Sequence, residues 1–274
     1  MANRHFAALG DVWKHLPLAE VLRANPPRHY WETHAGSAQY LLSGSTARLH
    51  GAIRFLTRAP SDPDLAHCAY LEVLRAVPGK YPGSPSIAMQ VLGCGASYIF
   101  CDIDPESVRD LRAARGKLNV RVIDADGVRE IAREAVSAKY PPHHVFVHID
   151  PYLPYERLSP DSQTAVELAA SLARSGHRVM YWYGYDEASR QGWARHEIAQ
   201  LAPGTPLWCG DVLVPTPFVY PERPGAWGCG IVLANMTNDE ADLCGRLGRA
   251  LERASADDVL AANEPERLTF RVVE

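Results

Sequence analysis

Seven apolar, β-branched or aromatic runs punctuate this chain, and most of the segments between them carry helical spacing. That alternation restricts the fold more than any other feature. The runs are His29 to Thr33, Tyr98 to Asp102, Val120 to Ile123, Val145 to Ile149, Arg178 to Tyr183, Trp208 to Val214 and Gly230 to Ala234. Helical patterns cover Pro105 to Ala114, Val128 to Ala138, Asp161 to Ala173, Glu187 to Gln200 and Asp239 to Arg253. Ser159-Pro160-Asp161 supplies a start signal of the usual cap chemistry. Strands separated by helices predict a mainly parallel sheet with crossover helices. The last two runs fall in a Pro- and Gly-rich region and predict an antiparallel edge. The expected fold is therefore α/β, with a doubly wound, mainly parallel seven-stranded sheet.

One interval departs from the alternation. From about Leu41 to Pro82 the chain shows helical patterning, Thr46 to Thr57 and Ala66 to Val77, without a convincing strand. Pro60, Pro63 and Pro78 break it into short pieces. We read 41–82 as a helical insertion after the first strand, a cap on the substrate side, within a main domain of 1–40 and 83–274; ordinary scaffold helices are the alternative. With 47% hydrophobic and 22% charged residues the chain has the balance of a globular protein. A formal net charge of −4 excludes a wholly electrostatic nucleic-acid binder. It leaves room for one that grips RNA through a local basic face. No run approaches the roughly 18 apolar residues of a membrane span. The opening Met1 to His5 lacks the apolar core of a secretion signal. Six cysteines without a C-x-x-C pair predict reduced thiols, a cytoplasmic location and no metal site.

Val91-Leu92-Gly93-Cys94-Gly95 looks like a cofactor-binding glycine loop, but its context argues against that role. Such a loop follows a strand, opens a helix and precedes a ribose-binding acid by about 20 positions. Here Asp102 arrives seven residues after Gly95, and the preceding segment reads as a helix with Ser84 at its cap and Pro85 at its first position. The glycine pair is expected to close that helix. The chemistry lies instead at the ends of successive strands. Glu32-Thr33-His34-Ala35-Gly36 ends the first run in small residues, which admit a ligand carboxylate close to backbone N–H groups. Asp102 ends the second run, where a carboxylate accepts from two ribose hydroxyls. Asp126-Gly127 follows the third, placing an acceptor for an adenine amine beside space for the ring. Asp150-Pro151-Tyr152 ends the fourth. An acid at the end of each successive strand suits a nucleoside cofactor; Asp104 and Asp124 read as cap or solvent residues.

Several further stretches resemble the bacterial large-subunit ribosomal RNA adenine-N6 methyltransferases. They are Arg4-His5-Phe6, Asp11-Val12-Trp13-Lys14-His15, Glu32 to Gly36, Tyr81-Pro82-Gly83-Ser84-Pro85, Asp126-Gly127, Asp150-Pro151 and Gly228 to Asn235, in the same order along nearly the whole chain. The resemblance implies a Rossmann-like class I methyltransferase that uses S-adenosyl-L-methionine. It implies cofactor contacts from His15, His34, Ser84, Asp102, Asp126, Gly127 and Asp150, beside the Gly36 of the first strand-end loop, with Asp150 facing the accepting nitrogen. At the Asp102 position the family usually has Glu, which keeps the ribose role.

The chain departs from the family where the acceptor binds. The family reads Asp-Pro-Pro-Tyr; this chain reads Asp150-Pro151-Tyr152-Leu153-Pro154-Tyr155. Asp150 and the Pro151 carbonyl remain to hold an amine, while stacking on the base passes to Tyr152 or Tyr155. A family tyrosine associated with RNA falls at Asn3. Tyr183 or Tyr185, at the end of the fifth run, is a further candidate for the acceptor pocket. Lys14 is a candidate cation or clamp at the site, or else a surface helix lysine. Arg54, Arg58, Arg75 and Lys80 make either a phosphate-binding face or a solvated one. His143 and His144 read as a loop, and His148 as a packed or cofactor-facing residue rather than a base.

Three functions compete on these grounds: N-methylation of adenine in RNA, the same scaffold methylating a small molecule, and a catalytically silent cofactor-binding protein. The altered Asp-Pro-Pro-Tyr and the acidic balance favour the second; the end-to-end resemblance favours the first. A dehydrogenase is disfavoured, because no G-x-G-x-x-G follows the first run.

Overall fold

The structure, a computed structural model, describes residues 6–42, 44–158, 162–215, 226–256 and 268–274. Asn3, Arg4, His5 and the Ser159-Pro160-Asp161 start signal lie outside these residues. The chain begins with helix α1 (Leu9–Ala24) and strand β1 (His29–Glu32). Strands β2 (Gln39–Leu41) and β3 (Lys80–Pro82) bracket α2 (Thr46–Arg48), a π-helical turn (Leu49–Ile53), α3 (Arg54–Arg58) and α4 (Ala69–Ala76). Then follow α5 (Ser84–Leu92), β4 (Ser97–Asp102), α6 (Pro105–Ala114), β5 (Asn119–Asp124), α7 (Gly127–Ser137) and β6 (Val145–Ile149). The remainder is α8 (Ala165–Arg174), β7 (Arg178–Tyr185), α9 (Trp193–Leu201), β8 (Leu207–Pro215), β9 (Ala226–Ala234), α10 (Asn238–Ser255) and β10 (Thr269–Val272).

Among the described residues the main sheet has eight strands, in the order β10-β8-β9-β7-β6-β1-β4-β5. The pairs from β5 through β4, β1 and β6 to β7 are parallel. The pairs β7–β9, β9–β8 and β8–β10 are antiparallel. All seven expected strands are present, and β10 makes the eighth. The chain runs from β1 outward to β4 and β5, then returns to β6 on the other side of β1. In open α/β sheets this switch point is where ligands settle, at the strands' carboxyl ends.

Two apolar clusters lie against the sheet. One gathers Trp13, Leu16 and Leu22 of α1 with Tyr70 of α4, Ile87 of α5, Leu111 of α6 and Leu247 of α10. The other packs Val128 and Ile131 of α7, Leu168 and Leu172 of α8 and Ile198 of α9 against Trp31, Val147 and Tyr181. Each large apolar side chain buried this way contributes about 1.5–3 kcal/mol. Phe55, Ala59 and Leu65 from the 41–82 stretch join the first cluster, so this stretch shares the main core. Its outermost segments form the short antiparallel pair β2–β3, which the sequence did not signal. Arg54 donates to the Ala256 carbonyl and Lys80 to Gln39.

Three further details differ from expectation. The segment Glu187 to Gln200 is a 3-10 turn at Ala188–Arg190 followed by α9, because the backbone turns at Gly192, whose N–H donates to the Asp211 carboxylate. Helix α8 starts at Ala165, not Asp161, with Thr164 and Glu167 capping each other reciprocally. Ser84 is the first residue of α5 and Gly83 its cap. As expected, α5 closes at the Gly93 pair, where Gly93 has φ +55°. A positive φ there suits glycine, and the pair serves as a helix end rather than a cofactor loop.

Candidate active site

The carboxyl ends of β1, β4, β5 and β6 open into a cleft of about 560 Å³. Its lining includes Lys14, His15, His34, Gly36, Ser84, Asp102, Asp126, Gly127, Asp150, Pro151 and Tyr152. The structure thus brings together eleven residues singled out from the sequence. Tyr155 and Tyr183 do not join them. Tyr155 donates to Glu197 at 2.6 Å and lies against Trp193, over α9. Tyr183 is buried among the second cluster and donates to Asp211 at 2.5 Å. Side chains alternate along a strand, and on β7 it is Trp182, on the opposite face from Tyr183, that reaches the cleft. Tyr185 shares the Tyr183 side and is also buried there.

Parallel pairing sets the acids in register. Asp102 ends β4, beside β1, and is fixed by two backbone donors: Gly36 at 2.6 Å on one oxygen and Asp104 at 2.8 Å on the other. Asp104 itself caps α6 through the Ser107 N–H. Asp126 caps α7, accepting from Val128 and Arg129 with a single oxygen. Gly127 allows this helix to start directly against the β1 loop. A Cβ at Gly127 would sit 1.9 Å from the Thr33 carbonyl oxygen, so any side chain would push the two loops apart.

Asp150 follows β6 and meets Lys14 across the cleft, with Nζ to Oδ2 at 2.6 Å. Lys14 also lies 3.1 Å from Asp11 and 5.3 Å from the centre of the Trp182 ring. It is 7% exposed, so it is not a surface lysine. Burial opposes its charge, and the carboxylates of Asp150 and Asp11 more than reverse this, raising its pKa above the ordinary lysine value. Burial likewise pushes Asp150 upward, but Lys14 carries its pKa below the ordinary carboxylate value. Asp11 moves the other way, raised by burial against the pull of Lys14. One carboxylate of the site is therefore held ionised while its neighbour is held less acidic.

Burial disfavours the charged forms of His15 and His34. Burial lowers both pKa values, against the neighbouring carboxylates in the case of His34. His15 bonds the Tyr81 hydroxyl through Nδ1 at 2.7 Å, and its Nε2 is buried without a partner. His148 is fully buried behind the cleft, with Nδ1 2.8 Å from Glu32. His143 and His144 meet edge to face in the turn before β6, at the opposite end of that strand. The sequence reading missed Asp11 and Trp182. The i, i+3 spacing of Asp11 and Lys14 was the available signal for the first. Strand alternation was the signal for the second.

A family model described as Ribosomal RNA large subunit methyltransferase D, RlmJ, matches residues 25–192. The chain belongs to that family. It is an S-adenosylmethionine-dependent methyltransferase with a Rossmann-like α/β fold. Among solved structures, protein LPL1258 from Legionella pneumophila, assigned to family DUF519, is 20% identical, with a TM-score of 0.71 and 98% of each chain covered. An S-adenosylmethionine-dependent methyltransferase from Agrobacterium tumefaciens is 12% identical, with a TM-score of 0.44 over 82% of this chain and 61% of that one. Fibrillarin from Aeropyrum pernix, in complex with natively bound S-adenosyl-L-methionine, is 12% identical, with a TM-score of 0.40 over 81% and 76%. No curated protein matches the sequence. No helix among the described residues is long and apolar enough to cross a membrane.

The residues present fit the cofactor. The cleft has the size of a small-molecule site. Asp102 and Asp126 offer acceptors for hydroxyl and amino hydrogens, and the unpartnered Nε2 of His15, in the lining, offers a polar atom that a ligand would satisfy.

Proposed function

We propose that this chain methylates the exocyclic amine of an adenine in ribosomal RNA. Asp102, Asp126 and Gly127 hold the nucleoside end of the cofactor, and His15, His34, Gly36 and Ser84 hold the remainder. Asp150 and the Pro151 carbonyl receive the two N–H groups of the acceptor amine, and Tyr152 stacks on its base. The observation that carries this reading is Asp150 itself: a strand-end carboxylate in the cofactor cleft, kept ionised by Lys14.

When bound, the cofactor supplies an already activated methyl group as a sulfonium, so the protein's task is chiefly to position the acceptor. The lone pair of an adenine amine is delocalised into the ring. Hydrogen bonds from its N–H groups to Asp150 and the Pro151 carbonyl favour the pyramidal nitrogen needed for attack. A carboxylate with a lowered pKa is a weak base, so Asp150 orients the amine first. It takes the proton only after the nitrogen has become cationic and strongly acidic.

Family membership and the mouth of the cleft support RNA over a small molecule. Tyr152, Leu153 and Leu158 line the cleft and are 75%, 52% and 54% exposed, an apolar rim suited to bases that flank the target. The test is incubation with methyl-labelled cofactor and either undermethylated ribosomal RNA or a small-molecule extract. Label is expected in the RNA; label confined to the small-molecule fraction refutes the reading.

A further inference from the structure

Glu32 ends β1 in the middle of the parallel sheet, and its side chain is fully buried. It does not line the cleft, yet three polar groups converge on it. Tyr30 donates to one carboxylate oxygen at 3.3 Å. Ser84 donates to the other, which His148 Nδ1 also meets at 2.8 Å. A carboxylate only accepts hydrogen bonds, so each partner turns its hydrogen toward Glu32. Of the three, Ser84 alone lines the cleft.

A serine hydroxyl has one hydrogen and two lone pairs. With its hydrogen committed to Glu32, Ser84 meets a ligand purely as an acceptor, and no described group donates to it. The cofactor's donors are few. Its ribose hydroxyls and adenine amine are matched by Asp102 and Asp126, at the ends of β4 and β5. Ser84 lies on α5, which packs against α1. The donor left for it is the α-ammonium of the methionine end.

We infer that Glu32 is a positioning residue: it orients the Ser84 hydroxyl so that its lone pairs receive the cofactor's α-ammonium. The inference rests on the cofactor and not on the acceptor, so a failed RNA assay leaves it standing. Replacing Glu32 by Met keeps the length of the side chain but removes the acceptor from Tyr30, Ser84 and His148 together. The Ser84 hydroxyl is then no longer held in a single orientation.

The experiment is calorimetric titration of the wild type, Glu32→Met, Ser84→Ala and the double variant with two ligands. One is S-adenosylhomocysteine, which keeps the amino-acid end; the other is 5′-methylthioadenosine, which lacks it. Both single variants should weaken S-adenosylhomocysteine about tenfold or more and leave methylthioadenosine within about twofold. Glu32→Met should add little in the Ser84→Ala background, since groups acting as a unit are not additive. The inference is overturned by equal weakening of both ligands in Glu32→Met, by full additivity in the double variant, or by unchanged S-adenosylhomocysteine binding in Ser84→Ala. Melting curves accompany each variant. If Glu32→Met fails to fold, the selectivity of Ser84→Ala between the two ligands decides.

Discussion

Lys14 stands between two carboxylates that it treats unequally. It lies 2.6 Å from Asp150 and 3.1 Å from Asp11, and the pKa of Asp150 is lowered while that of Asp11 is raised. A carboxylate with a lowered pKa stays ionised until the pH falls through that lowered value. Lys14→Met removes the main force opposing burial at Asp150, and its pKa should rise past the ordinary 3.8. The acid limb of the kcat profile should therefore move to higher pH in Lys14→Met. An unmoved limb would show that Lys14 does not set the charge of Asp150. At His15 and His34 burial disfavours a positive charge, which would repel the sulfonium.

Elements place these residues by their ends. Helix α7 begins at Gly127 against the Thr33 carbonyl, and Asp126 caps it. Gly127→Ala should abolish detectable cofactor binding by calorimetry while leaving a folded protein by circular dichroism; retained affinity would mean that the loop yields without cost. Helix α8 begins with the reciprocal Thr164 and Glu167 cap, just beyond the loop that carries Tyr152. Thr164→Ala should lower stability by about 1 kcal/mol in denaturant unfolding, with cofactor affinity unchanged. The seven longer strands of this architecture were legible because each is a compact apolar or aromatic run, the first four ending at or next to an acid. Helix α1 was not. It is buried on nearly every side and carries Pro17 inside, so the one-faced spacing that marks a surface helix is missing. The pair β2–β3 and strand β10 have three or four residues each, too few for a period to register. That Asp102, Asp126 and Asp150 would gather at one cleft was readable from their places at strand ends. The acceptor side was not, because choosing among Tyr152, Tyr155 and Tyr183 depends on which strand face and which loop turn meets the cleft.

At the scale of the molecule, the site exists because the chain reverses its direction of travel across the sheet at β1. The acids of β4 and β5 then lie on one side of β1 and Asp150 on the other, with α1 bringing Lys14 and His15 over the gap. The 41–82 stretch shares the core of α1 and so supports that helix. The net charge of −4 gives the whole surface little general attraction for RNA, and recognition is assigned to the apolar rim at the mouth of the cleft. The most direct test of this account is nucleoside mass spectrometry of undermethylated large-subunit ribosomal RNA, treated with cofactor and either the wild type or Asp150→Asn. The account predicts N6-methyladenosine with the wild type, formed at least about 100-fold more slowly by Asp150→Asn. Methylation at another atom, or an equal rate from the variant, would contradict it.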